Sequence, residues 1–163
     1  MPALRAVVFF EVVLALHILA VVFAFGATFA YPVFVSAIGK ADPRAVPALY
    51  RAFHAVSRMV IMPGLVVVVI CGIYLASKLH VWNSFFVQWG LGVAIVIGAV
   101  EGMFLSPNEK RLCEVSERDL AAAGDGVPVP SAEQNALVRR VSIAGVLMDV
   151  LVVLTIYFMV VHQ

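Results

Sequence analysis

Charge is the first thing this sequence is short of. Only 13% of its 163 residues are Asp, Glu, Lys or Arg, while 63% are hydrophobic; a water-soluble domain is about half apolar and a quarter charged. Cysteine is scarce as well. Cys71 lies in an apolar run, Cys113 in a polar one, and no CxxC pair occurs, which argues against a disulfide framework and against a cysteine-based zinc site. No basic run exceeds two residues and the formal net charge is +1, so no nucleic-acid partner is expected. GxSxG, HExxH, Walker and dinucleotide-binding signatures are missing too.

What the chain has is long apolar stretches. A bilayer core of about 30 Å needs roughly 20 mostly apolar residues per helix, and four stretches qualify, at about 8–35, 56–77, 83–105 and 140–161. The sequence therefore predicts an all-α, polytopic membrane protein. It is one domain over 1–163, a bundle of four transmembrane helices in a lipid bilayer. The first stretch is too long for a signal-peptide core of about 7–15 residues, and Pro32 is placed to kink it near its end. Residues 36–55 read as a turn followed by a short interfacial helix. In the polar segment 106–139, SPNEKRLCEVSERDLAAA reads as a short amphipathic helix and GDGVPVPS as a loose turn. Residues 77–82 are a tight connection, which makes the second and third spans an antiparallel hairpin.

Orientation follows from the basic residues. Lys40, Arg44, Arg51, Arg58, Lys110, Arg111, Arg118, Arg139 and Arg140 fall on the side of the two longer loops; only Arg5 and Lys78 fall on the other. The expected arrangement is a bacterial inner membrane, both long loops in the cytoplasm and both termini outside.

Lipid tails are as apolar as leucine, so helices in a membrane associate by close packing and by polar contacts. Gly90, Ala94, Gly98 and Gly102 recur every fourth residue and give the third span a nearly bare face. That face can receive another helix of the same chain or a second copy in a homo-oligomer or larger complex. Met62-Pro63-Gly64 is expected to loosen the start of the second span.

Ionisable residues at membrane depth are costly, at about 2.5–3.5 kcal/mol each on insertion scales, and are functional candidates by default. Arg58 and Glu101 enter at a similar level and can form an ion pair. Asp149 has no basic neighbour on its own helix, which suits a proton-carrying carboxyl. Glu101 and Asp149 are thus the candidates for proton handling, in a cluster open to the cytoplasm. His17 lies about three turns into the first span among Leu14, Leu16, Ile18 and Val21. It is either a structural imidazole bonded to a carbonyl or hydroxyl of another helix, or the axial ligand of a haem iron held in the bundle. Tyr74, Cys71 and Gln88 fall near the same depth as candidate second ligands. Met59, Met62, Met103, Met148 and Met159 leave room for copper or small-solute handling.

The stretch LHILAVVFAFGATFAYPVF resembles the first helix of a group of small four-helix bacterial membrane proteins. The group includes the CopD-type copper-resistance proteins and the HemJ-type protoporphyrinogen oxidases, together with a family of integral membrane proteins of unknown function. RMVIMPGLVVVVICGIYLASKLHVW is similar to their second helix, with an early proline, a late glycine and a tryptophan opening the third. This resemblance implies that His17 carries haem b. The tryptophan expected seven residues later is Ala24 here, and WNSFFVQWG lacks the basic residue of the oxidases. The resemblance therefore implies a haem-associated redox protein rather than protoporphyrinogen oxidation, with a non-enzymatic accessory subunit as the competing class.

Overall fold

The computed structural model describes residues 2–161, with side chains from Val8 to Val161; Arg5 and His162 fall outside the described side chains. Among the described residues every regular element is helical: α1 (Pro2–Gly26), α2 (Tyr31–Ala41), α3 (Val46–Val56), α4 (Met62–Leu79), α5 (Phe85–Val100), α6 (Ser106–Ala123) and α7 (Ala132–Val161). They join into four long rods, Val8–Ala41, Pro43–Leu79, Phe85–Ala123 and Ala132–Val161, each long and apolar enough to cross a membrane.

The rods are longer than the expected spans. Rods of 37 and 39 residues measure about 55–60 Å at 1.5 Å per residue, against a hydrocarbon core of about 30 Å. The short helices expected in 36–55 and after 106 are present, but they are continuous with the spans rather than set off from them. They are α3 and α6, which continue α4 and α5 outward and pack against each other and the start of α7. The prolines explain the mistaken breaks. Pro32, Pro47, Pro63 and Pro107 each sit in the first turn of a helical segment, where the missing N–H is tolerated. A 3₁₀ turn at Thr28–Ala30 precedes Pro32, and widened π-turns at Ser57–Ile61 and Glu101–Leu105 precede Pro63 and Pro107. A π-turn spares the i→i−4 bond that proline cannot make.

Two hydrophobic cores result. The membrane core joins Ala24, Phe25, Leu65, Val93, Ile97, Leu105, Met148 and Val152. The second core, at the loop end, joins Tyr50, Leu112, Cys113, Val115 and Leu137. In the membrane half α1 lies along α4 and α5 along α7. The α1–α4 approach is close: a Cβ on Gly64 would sit 3.0 Å from that of Ala24, which is itself fully buried. A tryptophan in place of Ala24 has no room there. The hairpin end closes between α4 and α5, where His80 takes the left-handed conformation with φ 57°.

The bare face of α5 is used inside this chain. Gly90 faces Met159 and Thr155 of α7, and Gly98 faces Leu65 of α4. Ala94 packs on the membrane core, while Gly102, at the end of the stripe, is exposed near Met62.

Candidate functional site

His17 projects from α1 toward α4, where its Nδ1 lies 3.0 Å from the carbonyl oxygen of Val68. A carbonyl can only accept, so Nδ1 carries the proton and donates it. In the neutral ring Nε2 is then the free nitrogen. Gly72, one turn beyond Val68, makes room for the imidazole: a Cβ there would stand 3.3 Å from His17 Cε1.

The ring borders a cavity of about 590 Å³ between α1, α4 and α5. Phe10, Leu14, Gly72, Phe86, Leu91 and Met159 are among its walls, and Trp82 and Ser84 of the hairpin connection border it as well. A smaller void of about 70 Å³ toward the bundle interior is also bordered by both His17 and Met159. Beside it Trp89 Nε1 donates to Thr155 Oγ1 at 3.1 Å, and Thr155 donates on to the Leu151 carbonyl at 2.8 Å. The large cavity falls within the usual 300–1,000 Å³ of cofactor and small-molecule sites, which are mostly apolar with a few placed polar groups.

The other expected ligands are elsewhere. Tyr74 packs edge-on against Phe9 and lies under the Lys78 ammonium, 5.8 Å from the ring centre; it does not border the His17 cavity. Gln88 is exposed and donates to the Trp82 carbonyl at 3.4 Å. Cys71 is buried but also lies off the cavity. Sequence reasoning missed Val68, whose contribution is a backbone oxygen, and it named Met159 only among five candidate soft ligands, without its place beside His17.

The acids take partners that sequence did not indicate. Glu101 accepts a hydrogen bond from Ser57, and Arg58, expected to pair with it, lies exposed on the outside of its helix. Neighbouring helix positions point about 100° apart, so turning Ser57 inward turns Arg58 away. Asp149 Oδ1 lies 2.6 Å from Thr28 Oγ1, and Thr28 Oγ1 lies 2.7 Å from the Phe25 carbonyl oxygen. One hydroxyl proton faces two acceptors, and a carboxylic acid O–H on Asp149 satisfies both. Glu101 and Asp149 thus belong to two separate hydrogen-bonded groups. Among the methionines, Met59 and Met103 face outward and Met148 lies in the membrane core, so they do not converge. Burial pushes the Cys113 thiol up to about 11, which keeps it a thiol at neutral pH.

A family model described as "Predicted integral membrane protein (DUF2269)" matches residues 11–163, and the chain belongs to that family. No curated protein and no solved structure matches it.

Proposed function

We propose that this family member is a haem-associated redox protein of the membrane, holding haem b in the cavity between α1, α4 and α5. The observation that carries the reading is the Nδ1–Val68 bond, which leaves Nε2 as the free nitrogen of a histidine that borders a 590 Å³ cavity. Iron-ligating histidines almost always anchor their second nitrogen in this way. The resemblance of α1 to CopD-type and HemJ-type proteins points to the same residue.

Each residue then has a task. Val68 orients the imidazole, Gly72 leaves it space, and the apolar walls exclude water from the site. Met159, which borders both voids with His17, would hold the haem with it in place of Tyr74 or Gln88. Bound haem supplies one-electron chemistry, tuned by axial ligand and burial. We place the loop end in the cytoplasm of a bacterial inner membrane, on the distribution of Lys and Arg. An accessory-subunit role has less support, because Gly90, Ala94 and Gly98 are packed within the chain itself.

The test is the oxidised and dithionite-reduced absorption spectrum of protein purified in mild detergent from haem-replete cells. The expected result is a Soret band that sharpens on reduction and is lost in His17→Ala. A colourless protein that fails to bind added haemin removes the reading and leaves the accessory role in front.

A further inference from the structure

A second polar group lies at the level of the two π-turns, remote from His17. Ser57 opens one π-turn and Glu101 opens the other, and they bond across the bundle. Such turns, rare in helices, recur at functional sites. Glu109 of α6 follows Glu101 by about two turns on the same rod, and its Oε2 lies 3.2 Å from Nδ1 of His54 on α3.

The outer two members of this series are partly exposed and the inner two are buried. His54 is 24% exposed and Glu109 12% by side chain, whereas Ser57 is 1% and Glu101 2% exposed. The chain of polar atoms therefore runs from the water-facing loop end to a carboxyl with no access to water. Tyr31 of α2 stacks on Phe53, the residue before His54, at 4.0 Å and carries a buried hydroxyl without a hydrogen-bond partner. Cys113 of α6 lies near Glu109. Among the described residues no salt bridge joins a basic side chain other than His54 to the carboxyl pair: Arg58 is exposed, and Arg51 is engaged with Glu117 at 3.3 Å.

We propose that His54, Glu109, Ser57 and Glu101 form a proton-transfer path from the aqueous loop end to a buried proton-binding site at Glu101. Water protonates His54 Nε2 as the Nδ1 proton passes to Glu109. The Glu109 O–H then gives its proton to Ser57 Oγ while the Ser57 hydroxyl proton crosses to Glu101. One O–H bond breaks and one forms at Ser57, so the hydroxyl is restored and one proton has moved inward. His54 is then neutral with its proton on Nε2; loss of that proton to water and uptake of another from water at Nδ1 restores the starting tautomer, so the net change is one proton moved from water to Glu101. The site stands independently of any haem at His17.

The experiment is a pH-jump followed by time-resolved infrared spectroscopy of the full chain in liposomes. Acidification should raise a protonated-carboxyl band that shifts in D₂O and is absent in Glu101→Gln. In Ser57→Ala and His54→Gln the band should keep its amplitude but appear about 10²-fold more slowly, at the lower end of what a positioned proton-transfer group contributes. Should Ser57→Ala fail to fold, the partly exposed His54→Gln carries the kinetic arm alone. A missing band, a band unchanged in Glu101→Gln, or unchanged rates in the variants that fold would each overturn the proposal.

Discussion

The two ends of this bundle are held together by different physics. In the membrane half the outer surface is apolar and faces lipid: Val22, Phe23, Ile70, Ile95 and Val153 are all exposed there. Burial of oil against oil gives little drive, so cohesion comes from close approach, as at Ala24–Gly64, and from single polar contacts such as His17–Val68. The loop end behaves as a water-soluble domain. Tyr50, Leu112, Val115 and Leu137 form a core under a surface of ion pairs, with Glu133 taking both Arg111 at 2.8 Å and Arg118 at 3.0 Å. Arg44 ties the two loops by donating to the Gly124 and Gly126 carbonyls, each at 2.8 Å. The lesson is that one helix can obey two rules along its length, with the π-turns near the boundary.

The sharpest way to break that contrast is a cavity in the soluble-like core. Leu112→Ala should cost about 3 kcal/mol, as large-to-small changes in water-driven cores do. Hydrogen exchange should then rise in α3 and α6 while the membrane halves of α1 and α4 stay protected; equal loss at both ends would merge the two regions into one. Next in size is Gly64→Leu, which overfills the α1–α4 contact and should cost about 2 kcal/mol. Thermal unfolding in detergent should detect it, and an unchanged midpoint would mean that close approach is not what holds that pair.

A smaller effect separates the ends by pH. Hydrogen bonds from Ser131, then Arg118, hold Asp119 below the usual carboxylate range, and Arg111 and Arg118 do the same for Glu133. A depressed carboxyl stabilises the fold above its unfolded pKa and loses that contribution as pH falls through its folded value. The connection around 124–131 should therefore become more open to protease below about pH 4, with little change from pH 5 to 8. The smallest change expected is Asp149→Asn, within about 0.5 kcal/mol of wild type, because an amide can donate to Thr28 Oγ1 as a carboxylic acid does. Unfolding of that variant in detergent would show a paired, structural charge instead.

The four crossings were legible because apolar length alone specifies them. The continuity of the rods was not, since Pro32 read as a kink and Pro63 as a loosened start, and only the preceding 3₁₀ or π-turn reveals how each proline is accommodated. His17 was legible as a lone imidazole in an apolar run. Its cavity was not, because Val68, Gly72 and Met159 reach it from other helices and carry no motif. Charge misled the search at Arg58, where the inward residue is its neighbour Ser57. Glu109 read only as part of a short amphipathic helix, and the packing of α3 on α6 places it beside His54.

The most direct test of the central claim is a haemin titration of protein from haem-deficient cells, followed by absorption. Wild type should bind one haem per chain with a shifted Soret band, Met159→Ala should bind haem but lose the wild-type reduced spectrum, and His17→Ala should not bind stoichiometrically. Equal binding by wild type and His17→Ala, or none by either, would contradict the assignment and leave His17 a structural link between α1 and α4.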